Sequence, residues 1–338
     1  MPPTRIVRLR DESRRHRSTN PRTRFLTPES LAEGRAAPSC EVAFVTAYPT
    51  LREVCASVAE PCVAAFAVDE QGVAAHALFQ PHDRLVQTAI IGRHTSADLF
   101  LADDQQLSLR HLALVLHPRR RGELPAYHVI DLRTPLGMAD ERGRPVEHVA
   151  AGGPLFLQLG AYALILLPLP WKRVWPTDAL EAWRALPPRT YVEEERPLPR
   201  RPAPPPEAGA TGVQVIRGAR FAQRGLAEPD DVRVGQLQVR SQRGSSTFVL
   251  GAKALHGGVL LGRYDRCDNA GLPVMSDHRI SRVHVLLIRI GEVVYAIDTA
   301  STNGIWHQGV EVRHHALEHG HELEIGSRLA WVSWHPID

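Results

Sequence analysis

Three short blocks in the second half of the chain hold the residues best suited to chemistry: Gly262-Arg263, Ser281-Arg282-Val283-His284 and Ser301-Thr302-Asn303-Gly304. Three kinds of chemistry could draw on them. A serine near a histidine suggests a nucleophile and its base. Ser281 and His284, however, stand three apart on one extended segment, which sends their side chains to opposite faces. No P-loop, GxGxxG, GxSxG or HExxH occurs either, so no catalytic residues are expected. Metal binding is the second kind. His314, His315, His319 and His321 crowd into "VRHHALEHGHELEI", but without cysteine or a clear carboxylate box; exposed polar residues are the preferred reading, and neither metal nor cofactor is expected. The third kind is a clasp for a phosphate group. Arg263 can present a rigid bidentate fork, Arg282 a second cation, and Ser281 and Thr302 short hydroxyl donors. Asn303 offers both a donor and an acceptor, and Gly304 lets its loop turn tightly.

Residues so far apart in sequence converge only if strands carry them. From about Val232 the chain runs as short apolar segments separated by turn signals: "VGQLQVRS", "STFVLGA", "GGVLLGR", "RVHVLLIRI", "VVYAID" and "LAWVSWH". The first half has the same texture. "PCVAAFAVDEQGVAAHALF" reads as two strands around the turn Asp69–Gly72, followed by "LVQTAIIGR", "LALVLHP", "AYHVIDL" and "LFLQLGAYALILLPL". Such lengths point to all-β sandwiches or barrels. The two halves look like one pattern written twice: "IIGRHTSADLFL" parallels "LLGRYDRCDNAGL", "LSLRHLALVL" parallels "ISRVHVLLI", and "VIDLRTPLGM" parallels "AIDTASTNGI". A repeat this long means two copies of a domain and not a solenoid.

The ordered set of a GR pair, an SRxH segment and an SxNG segment resembles the forkhead-associated (FHA) domain family. The resemblance covers about Val232 to the C-terminus and implies an eleven-stranded β-sandwich whose loops at one end bind phosphothreonine peptides. By the resemblance, Arg263, Ser281, Arg282, Thr302 and Asn303 contact the phosphopeptide. Arg279 reads the third residue after the phosphothreonine, favouring an acid. Gly262, His284 and Gly304 support the site. In the N-terminal copy Gly92, Arg93, Ser108 and His111 survive, as does Asp131. Leu109 replaces the second cation, with Arg110 beside it as a substitute, and Pro135 and Leu136 stand where threonine and asparagine are needed. This copy is expected to be degenerate, with weak or no phosphopeptide binding.

The expected organisation is a disordered, arginine-rich arm over residues 1–38, a degenerate FHA-like sandwich over 39–170, a short helix and Pro-rich linker over 171–231, and an FHA domain over 232–338. "PTDALEAWRAL" carries the helix, with Thr177 as its cap and Pro187-Pro188 as its stop. Composition narrows the function further. A net charge of +3 is no polyelectrolyte, and the arm's arginines are interspersed with acids, so nucleic acid is disfavoured. "YALILLPL" is too short to span a bilayer, and the N-terminus has no apolar h-region. Four dispersed cysteines fit reduced thiols in a bacterial cytoplasm. The expected function is a non-enzymatic, phosphothreonine-binding adaptor whose partner is a Ser/Thr kinase or its substrate; Thr190, with Glu193 three residues on, is a candidate self-ligand. The alternative is a phospho-independent scaffold using both sandwiches.

Overall fold

The longest apolar runs, "CVAAFAV" and "YALILLPL", fail to alternate because the strands they form are buried on both faces. A computed structural model describes residues 5–7, 36–170, 175–193, 211–216, 227, 231–269 and 273–337. They divide into two compact units, within 5–216 and 227–337.

The N-terminal unit begins with β1 (Arg5–Val7), α1 (Cys40–Ala56), β2 (Cys62–Asp69), β3 (Gly72–Phe79), β4 (Gln87–Gly92), β5 (Leu99–Phe100), β6 (Leu112–Leu116) and β7 (Tyr127–Asp131). It continues with β8 (Met138–Asp140), β9 (Pro145–Val146), β10 (His148–Ala151), β11 (Leu155–Leu159), β12 (Tyr162–Leu169), α2 (Ala179–Ala185), β13 (Arg189–Glu193) and β14 (Thr211–Ile216). Its two sheets run β1-β3-β2-β12-β11-β8-β9 and β13-β14-β10-β7-β6-β4-β5. Alternate residues of β2, Val63, Ala65 and Ala67, point into the core between the sheets with Leu114, Leu157 and Leu164. The other face of β2, Cys62, Ala64, Phe66 and Val68, packs under α1 through Phe44, Ala47, Tyr48 and Leu51. Ser39 caps α1 by accepting from the Val42 N–H at 3.3 Å. Leu51 is fully buried; truncating it to alanine would cost about 3 kcal/mol.

The C-terminal unit comprises β15 (Arg233–Ser241), β16 (Gly244–Gly251), α3 (Ala252–Gly257), β17 (Val259–Leu261), a 3-10 turn at Pro273–Met275, β18 (Val285–Ile290) and β19 (Val293–Asp298). Then come β20 (Ile305–His307), β21 (Val310–Val312), β22 (His314–Leu317), β23 (Glu322–Ile325) and β24 (Ala330–Pro336). One sheet runs β16-β15-β24-β23-β20-β21 and the other β17-β18-β19-β22. Leu237, Val239, Leu287, Ala296, Leu323 and Trp334 fill the space between them. Ten strands lie among the described residues of this unit, against the eleven implied by the resemblance; the position equivalent to β5 is 269–270, and residues 270–272 lie outside the description.

The two strand orders correspond place by place. β3-β2-β12-β11-β8-β9 matches β16-β15-β24-β23-β20-β21, and β4-β6-β7-β10 matches β17-β18-β19-β22. The all-β, two-sandwich reading of the sequence agrees with this. What the N-terminal unit adds was not anticipated: α1, and the parallel pair β13–β14 on β10, which lies in the stretch read as linker. The helix expected near residue 180 is α2, but its cap is Asp178 and not Thr177; the Asp178 carboxylate accepts from the Glu181 N–H at 2.7 Å. Arg5–Val7, within the arm read as disordered, pair with Ala77–Phe79, satisfying part of an otherwise open sheet edge. The rest of the arm, residues 1–4 and 8–35, and the proline run over 194–210 lie outside the described residues. Among the described residues no helix is long and apolar enough to cross a membrane.

Candidate functional site

At one end of the C-terminal sandwich the three sequence blocks meet. Gly262 follows β17 and lies so close to the segment entering β18 that a Cβ here would stand 2.0 Å from the Arg282 carbonyl oxygen. Only glycine fits that approach. The contact lets the Arg263 N–H donate to the Ser281 carbonyl (3.1 Å) and the Tyr264 N–H to that of Arg282 (3.0 Å). Asn269 locks the same glycine from behind: its Oδ1 accepts from the Gly262 N–H and its Nδ2 donates to the Gly262 carbonyl, each at 2.7 Å. The sequence reading gave Asn269 no role, although it lies inside the repeated "DRCDNAGL" stretch.

His284 is fully buried and ties the loops together. Its Nδ1 accepts from the Ser281 N–H at 3.0 Å, so its Nε2–H donates to the Gly304 carbonyl at 3.0 Å. With both ring nitrogens engaged by backbone, it cannot serve as a base for Ser281. The Ser281 hydroxyl faces the third block, where its oxygen accepts from the Thr302 N–H at 2.9 Å and lies 3.4 Å from the Thr302 hydroxyl. That third loop is shaped by Asp298, which accepts from the Ser301 N–H at 2.9 Å, and by Gly304 at φ +69°. Asn303 Nδ2 donates to the Arg279 carbonyl at 2.6 Å, leaving Oδ1 as an acceptor. Trp306 Nε1 donates to the Asn303 carbonyl at 2.9 Å.

The cations differ in their engagement. Arg263 and Arg282 are exposed, and neither guanidinium has a partner among the described residues. Arg279, by contrast, donates to Asp277 through Nε (3.1 Å) and a terminal nitrogen (3.3 Å). Those hydrogen bonds hold the Asp277 carboxyl down at about 2.

The same scaffold recurs in the N-terminal unit with different side chains on it. A Cβ on Gly92 would stand 2.5 Å from the Leu109 carbonyl oxygen. Arg93 N–H donates to the Ser108 carbonyl (3.1 Å). His111 Nδ1 accepts from the Ser108 N–H (3.2 Å) and Nε2 reaches the Gly137 carbonyl (2.9 Å). Burial lowers His111 to about 4 and raises Asp131 to about 6. The Arg93 guanidinium, however, is occupied: Nε donates to the Leu107 carbonyl at 3.1 Å and a terminal nitrogen to Gln105 at 3.4 Å. Leu136, at the place of Asn303, packs against the core, and Pro135 takes the place of Thr302. Arg110 takes the place of Val283 and is half-buried, so it does not stand in for the exposed Arg282. At the place of Asn269 stands Leu99 in β5, which pairs with β4.

A second cluster lies elsewhere in the C-terminal unit. His307, His315 and His321 bring one possible ligand atom each to within 4.8 Å of one another. Burial, and then the neighbouring imidazoles, hold His315 down at about 4. The sequence had pointed to His314, His315, His319 and His321. His307 is the member it missed, because only closure of the sandwich brings β20 beside β22.

Residues 259–326 match the family model of the FHA domain. No curated protein matches the chain. Among solved structures, the Rv1747 FHA-1 domain of Mycobacterium tuberculosis is 24% identical, covers 31% of this chain and 99% of its own, and has a TM-score of 0.25. The FHA domain of the CT664 protein from Chlamydia trachomatis is 21% identical, covers 31% of this chain and 99% of its own, with a TM-score of 0.27. The FhaA FHA domain, solved in complex with the intracellular domain of Rv3910, is 25% identical and covers 30% of this chain and 99% of its own, with a TM-score of 0.25.

Proposed function

From a chain that carries an FHA domain across residues 259–326, we propose that the C-terminal unit binds phosphothreonine peptides and that the protein is an adaptor for partners modified by Ser/Thr kinases. The observation that carries this reading is the pair of exposed, unpartnered guanidiniums, Arg263 and Arg282, on the backbone that holds Ser281 against Thr302. A phosphothreonine presents about −1.5 to −2 charges near neutral pH and three strong acceptor oxygens. Arg263 forks onto two of them, Arg282 adds charge, and the hydroxyl protons of Ser281 and Thr302 serve the third. Ser281 keeps its acceptor bond from the Thr302 N–H, and the long 3.4 Å bond that its hydroxyl donates to the Thr302 hydroxyl is the one its proton gives up for a phosphate oxygen. Asn303 Oδ1 accepts from the ligand main chain. Gly262, His284 and Gly304 hold the clasp in shape and touch no ligand.

Arg279 would read an acidic residue three places after the phosphothreonine, in competition with Asp277. Thr190, followed by Glu193, matches that preference, yet both lie in β13, paired with β14. A self-ligand has to leave that pairing first, which makes a partner in trans the favoured ligand. The N-terminal unit is read as a degenerate copy that works without phosphate, as a structural or protein-binding surface; its matching strand order and loop hydrogen bonds support that reading. Four free, buried cysteines fit a reducing compartment such as the cytoplasm.

The test is a titration of the full chain with peptide pairs that differ only by phosphate on threonine. Binding of the phosphorylated peptide alone, weakened at least tenfold by Arg263→Ala, supports the reading. Equal binding of both peptides, or no effect of Arg263→Ala, overturns it in favour of a phospho-independent scaffold.

A further inference from the structure

We propose that His307, His315 and His321 form a binding site for a divalent transition-metal ion of the zinc class, and that the ion fastens the two sheets of the C-terminal sandwich along one edge. The residues come from both layers. His307 ends β20 and His321 immediately precedes β23, both in the six-stranded sheet, whereas His315 lies in β22, the edge of the four-stranded sheet. Their ligand atoms lie within 4.8 Å of one another, and His315 Nε2 is 3.1 Å from His321 Nδ1. A tetrahedral site with metal–nitrogen bonds of about 2.0 Å has nitrogens about 3.3 Å apart, so one ligand pair already stands at that spacing.

The second contact of His307 points the same way. Its Nδ1 lies 3.2 Å from the Glu322 carbonyl. A carbonyl only accepts, so Nδ1 carries the proton and Nε2 keeps the lone pair. A metal-binding histidine is commonly oriented in this manner, by its other nitrogen donating to a carbonyl or carboxylate. Glu318 orients His321: its carboxylate stands 3.6 Å from Nε2, on the side of the ring away from the cluster, and its N–H makes a long 3.3 Å bond to Nδ1 that an ion would replace. All three histidines are half-buried, open enough for an ion to enter and dry enough to strengthen its bonds. Three imidazoles select zinc, copper, nickel and cobalt over magnesium and calcium, which take oxygen. The fourth position is left to water. Of the other histidines in the segment, His319 turns away and packs edge-on against His335, ring centroids 5.4 Å apart.

The clasp and the histidine cluster share no residue, so phosphopeptide binding and metal binding succeed or fail separately. The experiment uses the untagged full chain, stripped with chelator and titrated with ZnCl2 and CoCl2. One equivalent should bind, Co2+ should give the visible absorption of a low-coordinate nitrogen site, and a hundredfold excess of Zn2+ over its Kd should raise the unfolding midpoint of the C-terminal unit by roughly 10 °C. His307→Gln and His315→Gln should each abolish the shift and the Co2+ absorption, whereas His319→Gln should leave both intact. Circular dichroism of the metal-free variants checks that they fold. No stoichiometric binding overturns the proposal. So does binding that survives both His307→Gln and His315→Gln in folded protein, which would put the ion at other histidines.

Discussion

The two units build the same loop end with the same backbone bonds and then equip it differently. In both, a glycine gives way to a neighbouring strand's carbonyl, an arginine N–H and a histidine ring staple the loops, and an aspartate shapes the third turn. In the C-terminal unit two arginines on this frame, Arg263 and Arg282, face solvent with no partner among the described residues. In the N-terminal unit Arg93 bonds its own loop and Leu136 turns into the core. The backbone frame and the engagement of the side chains on it therefore vary separately. Packing and hydrogen bonding hold the frame in both units, whereas the proposed clasp needs cations that the frame itself leaves unsatisfied.

The broadest way to break the comparison is to attack what the units share. Gly262→Ala and Gly92→Ala each place a methyl against a backbone oxygen, and the strands must part to accept it. Each should lower the stability of its own unit by about 3 kcal/mol, measured as a shift in its denaturant midpoint. If one unit tolerates the change, the shared frame is not a shared constraint.

The next largest effect should divide the units. Arg263→Ala removes the charge-assisted fork, and about 2 kcal/mol of binding, roughly thirtyfold in Kd, should go with it. Arg93→Ala should leave phosphopeptide affinity unchanged, since that guanidinium serves Leu107 and Gln105. Calorimetric titration of both variants reads this directly. A loss of affinity with Arg93→Ala would mean that the N-terminal unit also binds phosphate.

The strands and their turns were legible because short apolar runs, punctuated by glycine and proline, have few other solutions; Asp69–Gly72, where Asp69 accepts from the Gln71 N–H at 2.8 Å, is one such turn. The meeting of the three loop blocks was legible because glycine, the SRxH segment and the SxNG segment recur in a fixed order, and the family match falls on the same residues. Other features were hidden for physical reasons. α1 carries Pro49 and several β-branched residues, which mask a helical spacing of buried positions from Cys40 to Cys55. β13 and β14 border the proline-rich stretch, and their pairing depends on the edge that β10 offers them. The occupation of Arg93 is a matter of where one side chain folds, which no spacing encodes. The same holds for Arg279, whose pairing with Asp277 the sequence did not suggest.

A smaller effect tests whether the N-terminal unit can be re-equipped. Pro135→Thr with Leu136→Asn writes the C-terminal loop residues onto it. Because Leu136 packs on the core, the double change should destabilise that unit by about 1–2 kcal/mol. It should bring no phosphopeptide affinity, measured in a chain whose C-terminal site is silenced by Arg263→Ala. Affinity gained there would show that Arg93 leaves its loop when a phosphate arrives.

The smallest effect concerns Arg279. Its guanidinium is already held by Asp277, so a ligand acid gains only part of a surface ion pair. Arg279→Ala should weaken peptides with an acid three residues after the phosphothreonine by about two- to fivefold, and leave peptides with alanine there unaffected. The pH dependence separates this term from the clasp. Asp277 has its carboxyl depressed to about 2 from 3.8, so its ion pair with Arg279 is complete above about pH 4 and fails only as pH falls toward 2. Between pH 7 and 5 that pair does not change. The phosphate does change, taking up a proton with a pKa of about 6 and losing charge. Affinity should therefore fall on mild acidification for every phosphopeptide, in wild type and Arg279→Ala alike, with a constant ratio between them. If the ratio drifts across that range, the group competing for Arg279 is not Asp277 but one that titrates near neutrality.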